Sequence, residues 1–220
     1  MQIATDTEIV EIEGQTLRIR RTTQPTPRLL LLIHGLSGDE NSMWVFARDL
    51  PAHCWMVAPR APYRAQQGGY TWRPHATSDM GWPRFEELRS SAEALIGHID
   101  KYQASAGLDA SQSIDVIGFS QGAALSSILA FLYPDRIRKL GILAGFVPSG
   151  MEDLTAKRPL EGKTVFVAHG TKDQTVPVGQ ARASIKILEQ AGAQVTYCED
   201  EVGHKVSLTC LHALRKFFAE

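Results

Sequence analysis

Six short apolar runs, interleaved with longer segments of helical period, constrain this chain more than any other feature. They are "LLLLI" at 29–33, "CWMVA" at 54–58, "IDVI" at 114–117, "RKLGILA" at 138–144, "TVFVA" at 164–168 and "QVTYC" at 194–198. Successive side chains of a strand point to opposite faces, so a nearly continuous apolar run predicts a strand covered on both sides. Segments 84–105, 121–132, 179–191 and 206–219 repeat with the helical period instead. In the first of these, Phe85, Leu88, Ala92, Leu95, Ile96 and Ile99 form one stripe with charges opposite. Strands alternating with helices predict an α/β architecture, a mostly parallel twisted sheet with helices on both faces. Ahead of it, "EIVEIE" (8–13) and "TLRIRR" (16–21) alternate with period two around Gly14-Gln15 and predict a hairpin that forms an antiparallel edge. Sites in such sheets lie beyond the carboxyl ends of the strands.

A chain of 220 residues without repeats or linkers fits one domain, 1–220. No insertion is large enough for a separate lid domain, and 145–162 could cover a site only in part. A formal charge of −1 gives no electrostatic pull toward nucleic acid or anionic lipid. The run at 29–33 is far too short to cross a bilayer, and the N-terminal stretch lacks the basic and apolar regions of a signal peptide. Cys54, Cys198 and Cys210 are few, widely spaced and odd in number. That suits a reducing, cytoplasmic setting, offers no disulfide framework or metal site, and leaves each cysteine as a buried packing residue.

Chemistry concentrates at "VIGFSQG", residues 116–122. A serine on a very tight strand-to-helix turn is pushed out with its hydroxyl exposed, and glycine is needed two positions to either side to avoid collision. Ser120 is therefore the candidate nucleophile. A hydroxyl needs a base to take its proton, and the base needs an acceptor to orient it. In this strand–helix order the acid and then the histidine should follow on later loops. "VFVAHGTKDQTVP" supplies Asp173, and "YCEDEVGHKVSL" supplies His204. Asp200 and Glu201 lie too near the histidine loop to form a separate arm. His98 and His212 fall in helical patterns, His34 and His169 at strand ends before glycines, and His53 and His75 upstream of the serine.

Acyl transfer also needs donors for the tetrahedral oxygen. The backbone N–H of Gln121 is one, and the loop "HGLSGDEN" supplies another, from Leu36 first and Ser37 second. The long connection 63–83 places Tyr70, Trp72 and Trp82 along the cleft, with the tryptophans as alternative pins of the loop to the core. Phe146 and Val176 are candidates for an apolar acyl slot, beside Val147.

Together "LLIHGLSGDEN", "APRAP", "GFSQGAALS", "HGTKDQTVP" and "GH" resemble the phospholipase/carboxylesterase family of α/β-hydrolases, which includes the acyl-protein thioesterases. The oxyanion loop is more similar to bacterial carboxylesterase members, and Arg73-Pro74 follow Trp72 where many relatives carry an aromatic and an acid. The resemblance implies the α/β-hydrolase fold and a Ser-His-Asp esterase working without metal or cofactor, carried by Ser120, Asp173 and His204, with oxyanion positions at Leu36 and Gln121. The expected substrate is a small-molecule carboxylic ester of small to medium acyl chain. Lysophospholipase or acyl-thioesterase activity on the same triad is the alternative, ahead of a non-catalytic binding module. Neither nucleic acid nor a stable membrane association is expected, and homodimer formation is left open.

Overall fold

The computed structural model describes residues 7–24, 27–47, 50–51, 53–74 and 81–219. Part of the 63–83 connection (75–80, with His75) and the extreme N-terminal stretch lie outside the described residues. Eight strands form one sheet: β1 (Glu8–Ile12), β2 (Gln15–Arg20), β3 (Arg28–Ile33), β4 (Cys54–Pro59), β7 (Ile114–Phe119), β8 (Ile137–Leu143), β9 (Thr164–Gly170) and β10 (Gln194–Asp200). Their order is β1-β2-β4-β3-β7-β8-β9-β10. The β1–β2 and β2–β4 pairs are antiparallel, and every later pair is parallel. A second, two-stranded piece pairs β5 (Tyr63–Arg64) with β6 (Tyr70–Thr71).

The alternation expected of fully covered strands is explicit in β3. Leu29, Leu31 and Ile33 enter one core with Val57, Val116 and Val167, while Leu30 and Leu32 enter the other with Met56, Phe166 and Ala168. The first core is covered by α2 (Phe85–Ser105), α3 (Gln121–Leu132) and α5 (Val178–Gln190). The second is covered by α1 (Trp44–Ala47) and α6 (Leu208–Ala219). A further short helix, α4 (Glu152–Ala156), lies between β8 and β9 in the chain. No described helix is long and apolar enough to cross a membrane.

Helix α2 begins where its sequence supplies a cap: the Arg84 N–H donates to the Glu87 carboxylate at 2.8 Å. Two readings of the sequence need correction. β10 is not buried on both faces: α5 and α6 pack against it, yet as an edge strand it carries only exposed and half-buried residues. Cys198 on β10 and Cys210 on α6 are joined in a disulfide with Cα atoms 5.7 Å apart, so they are not separate packing residues. Nothing in their 12-residue separation marks the pair; it is made by α6 folding back over the strand that precedes it. Cys54 remains a free, buried thiol.

Candidate active site

The parallel register sets the carboxyl ends of the central strands level, with Ile33 beside Gly118, Phe119 beside Leu143 and Gly170 beside Asp200. Loops from β3, β7, β9 and β10 therefore emerge at one edge of the sheet. Ser120 sits between β7 and α3 with φ 54° and ψ −118°, a conformation that side chains other than glycine rarely adopt. Its N–H donates to the Leu143 carbonyl at 2.9 Å, and its own carbonyl accepts from Ala123 N–H at 3.0 Å. A Cβ at position 118 would lie 2.2 Å from the Gly122 carbonyl oxygen, and one at position 122 would lie 2.2 Å from that of Ile33. Both glycines are there because backbone occupies the space a side chain would need.

Three side chains from three loops line up at this turn. The Ser120 Oγ is 3.0 Å from His204 Nε2, and His204 Nδ1 is 2.7 Å from Asp173 Oδ2. A carboxylate only accepts, so the imidazole proton is on Nδ1 and Nε2 is bare toward the serine hydroxyl. The other Asp173 oxygen accepts the N–H groups of Thr175 and Val176, each at 2.9 Å. His169 stands behind the carboxylate, with Nε2 donating to the Val176 carbonyl at 2.7 Å and lying 3.5 Å from Asp173 Oδ2. The Phe119 ring packs 5.1 Å from that of His204. Asp200 caps its own loop, accepting from Glu201 N–H, and takes no place in this line.

The loop after β3 is buttressed from below. His34 Nε2 accepts from the Ala61 N–H at 3.0 Å, so its Nδ1 carries the proton and donates to the Gly35 carbonyl at 2.7 Å. Burial holds this imidazole below its ordinary pKa, hence neutral. The Ser37 N–H donates to the Tyr70 carbonyl at 2.9 Å, so Ser37 is not available as an oxyanion donor. Leu36 is exposed on the rim of the serine cavity. The Gln121 N–H opens α3, where a helix leaves its first donors without an internal partner. The Gln121 side chain faces the other way: its carbonyl accepts from Trp72 N–H at 3.0 Å and its amide donates to Thr71 Oγ1 at 3.0 Å.

A cavity of about 490 Å³ opens on Ser120 and His204, with apolar walls from Leu36, Met43, Val45, Phe46 and Leu211. The substrate-side residues expected from the sequence are not its lining. Trp72 is 1 % exposed and its indole N–H donates to the His34 carbonyl at 2.8 Å, so it pins the loop to the core. Val176 is buried beneath Asp173. The Tyr70 ring packs against the guanidinium groups of Arg60 and Arg64, at 4.9 and 4.4 Å from its centroid. Trp82 and Phe146 do meet, with ring centroids 5.8 Å apart, on a second cavity of about 810 Å³ against α4 and α5 that Ser120 does not touch. The walls that sequence reasoning missed come from 42–46 and 206–211, where no motif distinguishes a cavity wall from core. Arg73, which departs from the usual pattern, is buried and donates to Glu87 of α2 at 2.9 Å, tying the loop to a helix.

The phospholipase/carboxylesterase family model matches residues 15–220. The chain belongs to this family. An acyl-protein thioesterase 1 of Saccharomyces cerevisiae is 31% identical over 180 residues, covering 74% of this chain and 78% of the relative. That of Kluyveromyces lactis is 29% identical over 194 residues, covering 79% and 82%. Among solved structures, a carboxylesterase from Mesorhizobium loti superposes with a TM-score of 0.82 at 20% identity, covering 97% of this chain and 99% of its own. A Bacillus cereus carboxylesterase gives 0.80 at 22%, covering 98% and 95%. The matched relatives are named carboxylesterases and acyl-protein thioesterases, which are ester hydrolases, and the sheet described above is the α/β-hydrolase fold.

Proposed function

We propose that this phospholipase/carboxylesterase family member is a serine carboxylesterase acting on small-molecule esters of small to medium acyl chains, in the cytoplasm. The single observation that carries the reading is the hydrogen-bonded line from Ser120 Oγ through His204 to Asp173 at the mouth of an apolar cavity. His204 Nε2 takes the Ser120 proton as Oγ attacks the substrate carbonyl carbon. Asp173 holds the imidazole in the required tautomer and stabilises the imidazolium that forms. The N–H groups of Gln121 and Leu36 receive the developing oxyanion, with the α3 dipole in support. His204 then gives its proton to the departing alcohol, and water repeats the sequence to release the acid.

Ser120→Ala should abolish hydrolysis of p-nitrophenyl acetate and butyrate while circular dichroism stays unchanged; full retained activity would reject the reading. His204→Ala should lower kcat for the same esters by orders of magnitude with the fold intact, and unchanged turnover would count against His204 as the base.

Thioester cleavage is the second reading, favoured by the names of the yeast relatives. An oxygen-ester and thioester series of matched chain length separates the two by ratios of kcat/KM. A rice relative is described as a probable inactive carboxylesterase, which keeps a binding module in view. Failure of a fluorophosphonate to label Ser120 in folded protein would select that alternative.

A further inference from the structure

The disulfide brackets the proposed base. Cys198 lies near the end of β10, Cys210 lies in the first turns of α6, and the chain between them contains His204. Cys198, Glu199 and Asp200 are still paired with β9, and beyond them the main-chain bonds from this segment to the preceding loop are Thr171 N–H to the Asp200 carbonyl at 2.9 Å and Lys172 N–H to the Val202 carbonyl at 3.0 Å. The hydrogen bonds Val202 N–H to Asp200 carbonyl and Cys210 N–H to Ser207 Oγ are internal to it. β10 has no strand on its outer side. The sulfur bridge is thus the covalent closure that fixes where α6 starts relative to where β10 stops, and so where the imidazole is presented.

Resting on the hydrolase reading, we propose that Cys198–Cys210 is a thiol–disulfide exchange site through which small thiols lower the esterase activity. Cys198 is half-buried on the edge strand, whereas Cys210 is 2 % exposed, so Cys198 sulfur is the atom an external thiolate attacks. The new bond forms between the external sulfur and Cys198 Sγ as the Cys198–Cys210 bond breaks, and Cys210 leaves as a thiolate that takes a proton from water. A second external thiolate attacks the first external sulfur and expels Cys198 thiolate, which is likewise protonated. Two small thiols are oxidised to one disulfide, and the protein pair gains their two electrons. A disulfide in a reducing compartment is ordinarily transient and regulatory, which fits the cytoplasmic setting proposed. Cys54 takes no part: it is buried on β4, and burial pushes its thiol up to about 11. The opened loop leaves the cavity walls of 36–46 in place but loosens the histidine together with the wall at 206–211, so turnover falls and binding weakens with it.

The test is full-length protein equilibrated in glutathione buffers of increasing reducing power, with the pair's state read from maleimide mass shifts. Opening should lower kcat for p-nitrophenyl butyrate about tenfold, a displaced catalytic group being costly. Reoxidation should restore it. Cys198→Ser/Cys210→Ser should match the reduced enzyme and ignore glutathione, while Cys54→Ser should keep the full response. Equal kcat with the pair shown open and shown closed overturns the proposal whether or not the double variant folds. Ser120 unreactive to fluorophosphonate in both states would instead strike down the hydrolase reading beneath it.

Discussion

Gly118 and Gly122 act by what they lack. Each faces a carbonyl oxygen 2.2 Å from where a Cβ would stand, closer than real Cβ atoms approach. Gly118→Ala should cost about 3 kcal/mol or more, since backbone cannot yield as a flexible side chain does. Urea unfolding followed by far-UV dichroism measures it, and a loss under 1 kcal/mol would show that the turn relaxes. At this scale the sequence was most legible where the reason for a residue is local. The glycines around Ser120 announce a tight turn because sterics at that turn admit nothing else. Trp72 was open to two readings because a tryptophan beside a cleft and one buried under it have the same neighbours in the chain. The indole bond to the His34 carbonyl, which decides it, joins residues brought together only by folding.

Among elements, β7 and β8 share a buried charge. Asp115 of β7 is fully buried and receives Arg138 of β8 at 2.8 and 2.6 Å, with Arg28 of β3 at 3.8 Å. Burial raises its pKa despite the arginines, so the ionised form depends on them. Arg138→Leu should destabilise the fold by about 3 kcal/mol, because it strands a charge in the sheet. Asp115→Asn in the same background should recover part of that loss, and an unchanged denaturation midpoint in the single variant would contradict the account. Apolar runs predicted five inner strands and β10, and helical periods the four long helices, since both patterns record burial directly. The β5–β6 pair escaped notice: strands of two residues are too short for a period. β10 reads as an inner strand by composition, yet its position at the edge follows from the order of pairing, which composition does not encode.

For the molecule as a whole, acid stability follows from His34. Its imidazole is neutral in the fold and accepts from Ala61, so the unfolded chain binds the proton that the fold refuses. The folded pKa is the lower one. Stability from this group is therefore complete above the unfolded value, about 6.5, and is lost as pH falls below it. Thermal midpoints between pH 7.5 and 5 should decline, and His34→Gln should flatten that decline; an equally steep variant would assign the loss to other groups.

The loops bearing Asp173 and His204 meet main chain to main chain: a Cβ on Gly170 would come within 2.2 Å of the Val202 carbonyl oxygen. Their closest approach is thus written in peptide units and one absent methyl, while the Cys198–Cys210 bridge holds the far side of the histidine loop. Mutational drift can replace much nearby without moving the two loops apart, provided that glycine and the bridge survive.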